Sequence, residues 1–379
     1  MRYIKPLDGL RAIAALFVII WHWIPQDSFI NQFPNGYFGV NIFFVLSGFL
    51  ITHILLIHRV DAEAFGMARK NLLQHFYIRR ALRIFPIFYL TLSLMVVLRH
   101  QADLKLTMSE LIASATYTYN FFLFSVKSWD LASIHFWSLA VEEQFYLVWP
   151  LLMLYLPKRY LLFCMLLFIL IGVSSQLLLS DTNFGPILPH TCFDCLGIGG
   201  LLAWVAINKP SFLQKFYHLT VAMAIVGVVL VVCKQAAILS LKQDRFAHAM
   251  IGVWLITHVW AHQQKPTTLT SLLSTKVLVN LGKVSYGIYL YHILFEKLVR
   301  PLWIAYVYPH FQTIQPIYLD WAFLVVNVPI LYGICWLSWQ YIEHPILQLK
   351  DKVSYQKPVT QNRHPTIVQI GKPEPIQHN

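Results

Sequence analysis

The sequence predicts an all-α polytopic membrane protein of about ten transmembrane helices with both termini cytoplasmic. Three observations predict it. The 379 residues are 57% hydrophobic and only 12% charged, whereas soluble domains carry about 25% charge. Apolar runs long enough to cross a bilayer recur along most of the chain. The lysines and arginines also concentrate in alternate loops, as they do when one set of loops stays in the cytoplasm.

The spans are placed at 7–25, 38–57, 84–98, 144–156, 160–179, 193–207, 217–233, 245–261, 280–298 and 319–341. The shorter ones draw on flanking residues or thin the bilayer. The first run is a retained helix, because Asp8 and Arg11 interrupt it and no small-residue cleavage pattern follows. An eleventh run, 109–124, contains Glu110 and a polar stretch from Ser114 to Asn120. Positive charge decides against it. With ten spans, inner segments hold 20 of the 29 Lys and Arg residues, outer segments hold eight, and Arg11 lies within a span. Counting 109–124 would move the Lys158-Arg159 loop outside and break that bias. The 99–143 stretch is then read as outer, partly re-entrant among other helices. Residues 1–345 form the membrane domain. Residues 346–379 form a polar cytoplasmic tail with Pro358, Pro365, Pro373 and Pro375, read as mostly disordered.

The net charge of +12 fits cytoplasmic loops facing membrane lipids rather than a nucleic-acid partner. Five cysteines do not make a disulfide scaffold. Cys192-Phe193-Asp194-Cys195 has the spacing of a redox pair or half a zinc site. No second pair completes it, so the two are read as buried helical thiols and no metal is expected.

Arg11 and His22 are the first candidate site residues. Ionisable groups within a spanning helix point to function by default. They lie eleven residues apart. Eleven steps of a helix return to within about 20° of the same face and advance about 16 Å. Asp8, one turn from Arg11, is placed to pair with it and lower the penalty of burial.

The loop before the third span reads His75-Phe-Tyr-Ile-Arg79-Arg80-Ala-Leu-Arg83-Ile-Phe-Pro86. Arg80 and Arg83 are i,i+3 and share a face. Guanidiniums at a cytoplasmic mouth suit a phosphorylated ligand, because the planar fork binds phosphate oxygens bidentately. A topogenic cluster touching lipid head groups explains the same charges.

Gly39 and Gly48 in the second span permit close helix approach, and Asn41 and Ser47 offer hydrogen bonds. The segment Trp137-Ser-Leu-Ala-Val-Glu142-Glu143-Gln-Phe-Tyr146 leads into the fourth span. Successive helical positions diverge by about 100°, so one of the two carboxylates is expected to face the interior. Facing an outer cavity, Glu142 would orient or deprotonate a hydroxyl. Interfacial anchoring explains the flanking aromatics equally well. In the ninth span Ser285, Tyr289 and His292 form one stripe, read as facing protein or a cavity. His292 and Glu296 are i,i+4. Pro345 is read as closing the last span.

Taken together, Leu7-Asp8-Gly9-Leu10-Arg11 with His22, the Ser47-Gly48-Phe49 segment, Arg80-x-x-Arg83 with Phe85-Pro86, Trp137-Ser138-Leu139 with Glu142 to Tyr146, Gly282 to His292, and Glu343-x-Pro345 resemble the acyltransferase-3 family of bacterial membrane acyltransferases. The likeness covers roughly residues 5–345. It implies an O-acetyltransferase-type enzyme of the bacterial cytoplasmic (inner) membrane. Such an enzyme moves an acyl group, most often acetyl, from cytoplasmic acyl-CoA to a hydroxyl of a cell-surface glycan, a polysaccharide or lipopolysaccharide, or a lipid-linked saccharide precursor. Acyl-CoA is then a co-substrate, and no cofactor is bound permanently. The family's functional positions map onto Arg11, His22, Arg80 and Arg83. Many relatives carry an added SGNH-type domain; none is expected here, so the membrane domain would act directly. The implied arrangement holds CoA phosphates on Arg80, Arg83 and Arg11, with His22 as general base or transient acyl carrier. A transporter or flippase of lipid-linked saccharides is the competing class, but no inverted repeat or paired broken helices support it.

Overall fold

Prolines, caps and glycines divide the chain into helices, and all the described elements are helical. The computed structural model describes residues 3–33, 35–180, 182–238 and 244–352. Helix α1 (Lys5–Trp23) has Pro6 in its first turn and stops before Pro25, which holds Ile24 extended (φ −99°, ψ 140°). Helices α2 (Asn35–Phe65) and α3 (Arg69–Val97) follow, then two eight-residue helices, α4 (Met108–Ala115) and α5 (Tyr119–Val126). Next come α6 (Phe136–Tyr155), α7 (Lys158–Leu178), α8 (Phe193–Asn208), α9 (Leu213–Gln235) and α10 (Arg245–Ala261). The short α11 (Thr268–Leu273) and α12 (Lys276–Lys283) precede α13 (Ser285–Tyr306) and α14 (Pro316–Ser338). A π turn over Trp339–Glu343 leads into α15 (His344–Lys352).

Seven described segments are long and apolar enough to cross a membrane: α1, α2, α3, α7, Pro189–Asn208, Pro210–Gln235 and Pro316–Leu349. The other three expected spans are also helices. Of these, α10 has 17 residues, α6 contains Glu142 and Glu143, and α13 contains Glu296, Lys297 and Arg300.

Several expected boundaries are corrected. Helix α3 begins at Arg69, so Arg80 and Arg83 lie three to four turns inside a helix rather than in a loop. Helix α6 begins at Phe136, which puts Glu142 and Glu143 in its second turn. The cause is the same in both. Charge marks the end of a span only when it would otherwise meet lipid, and these side chains face a protein cavity. The ninth span breaks at Val284 and runs as α13. Pro345 does not close the last span. It sits in the first turn of α15, where a proline is tolerated. Residues 346–352 of the expected tail are therefore helical, and its remainder, 353–379, lies outside the described residues.

The 109–124 run is not one helix. Helices of eight residues reach about 12 Å, too short to cross. Thr107 caps α4 through its side chain, and Tyr117 turns the chain with φ 52°. Glu110 is fully buried, accepting the Ser133 backbone N–H at 3.0 Å and the Tyr119 hydroxyl at 3.4 Å. The residue that made this run doubtful as a span thus fastens it to the segment entering α6. Burial pushes the Glu110 carboxyl above its usual range.

Helix α2 is the centre of the bundle, with 72% of its apolar window buried. Gly48 lies against the Leu196 carbonyl of α8 and Gly39 against the Ala14 carbonyl of α1, where a Cβ would overlap backbone. These are the close approaches expected of the two glycines. Arg59 donates to the Met153 and Leu156 carbonyls, each at 2.7 Å, and so ties α2 to the C-terminal end of α6.

Candidate active site

Among the described residues, two of the cavities between these helices share Val40 and Tyr289 in their walls. The first, of about 260 Å³, is lined by Arg11, Arg80 and Arg83 together with Ser47, Glu142 and Glu143. Arg11 donates to Asp8 Oδ1 at 2.7 Å, and Tyr3 donates to Asp8 Oδ2 at 2.6 Å. The expected Asp8–Arg11 pair is therefore formed. Arg80 lies over the rings of Tyr146 (5.1 Å) and Phe76 (5.6 Å). Neither Arg80 nor Arg83 makes an ion pair with a described residue. Two guanidiniums without carboxylate partners among the described residues, beside a third that has one, have the chemistry to hold an anion.

Glu142 belongs to this chamber, not to the one that holds His22. Ser47 donates to its Oε1 at 2.8 Å and Tyr146 to its Oε2 at 3.2 Å. The expectation that one carboxylate of the pair faces inward is also corrected, because Glu142 and Glu143 both line the cavity. The cavity is wide enough for two positions about 100° apart on α6 to border it. Of the second-span polar residues, Ser47 lines the cavity. Asn41 is buried against Arg245, whose Nε donates to it at 3.1 Å.

The second cavity, of about 620 Å³, is lined by His22, His135, Trp21, Tyr37, Trp129 and Trp137, among others. Here the hydrogen bonds assign the protons. His292 Nδ1 is 2.7 Å from the Tyr289 carbonyl, which can only accept, so Nδ1 carries the proton and Nε2 a lone pair. That Nε2 lies 3.2 Å from His22 Nδ1, which is also 2.8 Å from the Val18 carbonyl. Two acceptors on one nitrogen place the His22 proton on Nδ1. His22 Nε2 is then left with its lone pair and no described partner, in a residue that lines the cavity. His135 donates from Nε2 to the Leu290 carbonyl at 3.2 Å, but its Nδ1 is buried and unpartnered. His22 is thus the imidazole whose basic nitrogen is reachable.

The C-terminal end of α1 is held in place around His22. Trp23 donates to the His292 carbonyl at 3.2 Å. Arg300 bridges Glu296 (2.6 Å) and Asp320 (2.7 Å) and donates to the Trp23 carbonyl. Glu296 therefore pairs with Arg300 rather than with His292. Tyr289 donates to the His135 carbonyl at 2.9 Å and stands between the chambers. The Ser285–Tyr289–His292 stripe passes Ser285 at the arginine chamber, Tyr289 at the junction and His292 behind His22.

Helix α1 thus delivers Arg11 to one chamber and His22 to the other, as their spacing requires. His135 and Trp129 had not been singled out as site residues. They enter from chain positions far from His22, and no local period links them to it. Cys192 and Cys195 are free and buried. Arg245 Nη1 lies 2.8 Å from Cys192 Sγ, and neither cysteine is among the residues that line the two chambers.

A family model described as an acyltransferase domain, acyltransferase-3, matches residues 4–339. The chain is 30% identical over 374 residues to the peptidoglycan O-acetyltransferase OatA of Listeria monocytogenes, covering 91% of this chain and 56% of the relative. It is 30% identical over 376 residues to the putative peptidoglycan O-acetyltransferase YrhL of Bacillus subtilis, covering 91% and 55%. It is 29% identical over 378 residues to the O-acetyltransferase OatA of Staphylococcus aureus, covering 91% and 57%. The chain therefore spans a little over half the length of these relatives. No solved structure matches it. With the family model matching residues 4–339 and the motif residues gathered around two neighbouring chambers, the chain belongs to the acyltransferase-3 family of membrane acyltransferases.

Proposed function

We propose that this acyltransferase, in the bacterial cytoplasmic membrane, moves an acetyl group from cytoplasmic acetyl-CoA to a hydroxyl of a cell-surface glycan. The acceptor is peptidoglycan, as in the names of its relatives, or a lipid-linked precursor. The observation that carries this reading is the pair of neighbouring chambers that share Val40 and Tyr289, one holding Arg80 and Arg83 without ion-pair partners among the described residues and the other a basic imidazole nitrogen.

In this reading Arg80, Arg83 and Arg11 hold the CoA phosphates from the inner side, with Asp8 fixing Arg11. Glu142, Ser47 and Tyr146 offer partners to the amides of the pantetheine arm. The thioester reaches the junction at Tyr289 while the nucleotide stays inside. An acceptor hydroxyl in the outer chamber gives its proton to His22 Nε2 as its oxygen attacks the thioester carbonyl. The new O–acyl bond forms, the C–S bond breaks, and the proton passes from His22 to the departing thiolate. The imidazolium formed in between keeps its Nδ1–H on Val18 and His292, in the manner of a base oriented by a third group.

The test is transfer of labelled acetyl from acetyl-CoA to glycan acceptor by the full chain in lipid. Transfer that is lost in His22→Ala while acetyl-CoA still binds fits the reading. Near-normal transfer by His22→Ala removes His22 from catalysis.

A further inference from the structure

Trp129 lies between α5 and α6, is 38% exposed, and lines the rim of the histidine chamber. Phe184 covers one face of its indole, with centroids 4.5 Å apart and planes 16° apart. That stack holds the ring in place where it borders the chamber. Deeper in, Tyr37 meets Trp21 at 6.3 Å and Trp137 at 6.2 Å, so three rings form a continuous wall. The other side chains able to hydrogen-bond at the entrance are the neutral amides of Gln26 and Asn183. Among the described residues no Asp, Glu, Lys or Arg lines this chamber. Arg245 lies 5.9 Å from the centroid of the Trp137 ring, with Nε and Nη1 on Asn41, Thr191 and Cys192 and Nη2 buried without a hydrogen bond to a described residue.

This lining selects by charge. An aromatic face carries negative quadrupole charge and an apolar surface. A pyranose ring offers the complement, a face of C–H groups rimmed by hydroxyls that amides can bind. A carboxylate or phosphate on the same ring would lose its hydration and meet no cation. The arginine chamber has the opposite character, so the two substrates are sorted by charge.

We infer that the histidine chamber takes the acceptor as an uncharged pyranose ring stacked on Trp129, with one ring hydroxyl directed to His22 Nε2. This rests on the acyl-transfer reading above and names the class of ring that reacts. Any carboxylate or phosphate of the acceptor then lies outside the chamber, on another part of the molecule.

The full chain in detergent micelles is titrated with two probes of equal size, N,N′-diacetylchitobiose and a disaccharide carrying a uronic acid, with binding read by equilibrium dialysis. The neutral probe is expected to bind at least about tenfold more tightly. Trp129→Ala should weaken its binding about tenfold, and Trp129→Phe, which keeps a ring over Phe184, should hold it within about threefold. Equal binding of the acidic probe, an unchanged Trp129→Ala, or a Phe variant as weak as Ala would overturn the inference. Labelled acetyl-CoA run in parallel separates the two readings. Selective Trp129-dependent binding without acetyl transfer sinks acyl transfer to these saccharides and keeps the chamber's selectivity. Transfer to neutral and acidic acceptors alike does the reverse.

Discussion

The arginine chamber and the histidine chamber share Val40 and Tyr289 but differ in almost every other respect. One is charged, with three guanidiniums and two carboxylates on its walls. The other is larger and aromatic, and its ionisable groups are imidazoles and phenols. One helix, α1, serves both. Under the proposed function, the difference puts donor binding and removal of the acceptor's proton in separate places about 16 Å apart along that helix. Each can then be damaged without the other.

The largest effect is expected at the base. His22→Ala should lower acetyl transfer by about 10²–10⁴-fold, the usual worth of a positioned general base. If the loss falls instead on acetyl-CoA affinity, the division between the chambers is wrong. On the other side, Arg80→Ala combined with Arg83→Ala should weaken acetyl-CoA binding by about 10²-fold or more, since each charge-assisted hydrogen bond is worth about 1.5–3 kcal/mol. An isothermal titration with unchanged affinity would end the phosphate-holding role.

His292→Gln sharpens the assignment of protons. The donor site is untouched, but the acceptor for His22 Nδ1–H is altered. A fall in kcat of about tenfold, with the acetyl-CoA KM unchanged, is expected from disturbing an orienting partner. Glu142→Gln tests which chamber that residue serves. It should change the KM for acetyl-CoA by about three- to tenfold, because its bonds to Ser47 and Tyr146 border the chamber proposed to hold the donor. A change confined to the acceptor KM would return Glu142 to the histidine side.

The smallest effect concerns the segment that closes the histidine chamber. The folded-state pKa of Glu110 is raised, so the folded protein holds this proton more tightly than the unfolded chain. Stability should therefore fall as pH rises from the ordinary carboxylate range through the raised value. Glu110→Gln should flatten that slope in thermal melts taken from the ordinary carboxylate range upward in pH. An unchanged slope would remove Glu110 as its source.

What could be read from the sequence was what a single helix fixes. The Arg11–His22 spacing, the Asp8 partner, the shared face of Arg80 and Arg83 and the close approaches of Gly39 and Gly48 all follow from helical periodicity or residue size. Helix ends are less legible, because charges such as Arg80, Arg83, Glu142 and Glu143 look like span boundaries in the sequence. They line a cavity inside the bundle, so α3 and α6 begin earlier and Glu142 moves to the other chamber. The contacts that fix the His22 proton and close the site, His292 and Trp129 with Phe184, come from packing of distant segments. No local pattern encodes them.

The most direct measurement of the central claim is the acetyl-CoA binding isotherm of the full chain in lipid, for His22→Ala beside the Arg80→Ala/Arg83→Ala double variant. The two-chamber account requires the His22 variant to bind as the wild type does and the double variant to lose affinity by about 10²-fold. Equal affinities in the two variants, whether both intact or both weakened, would contradict it.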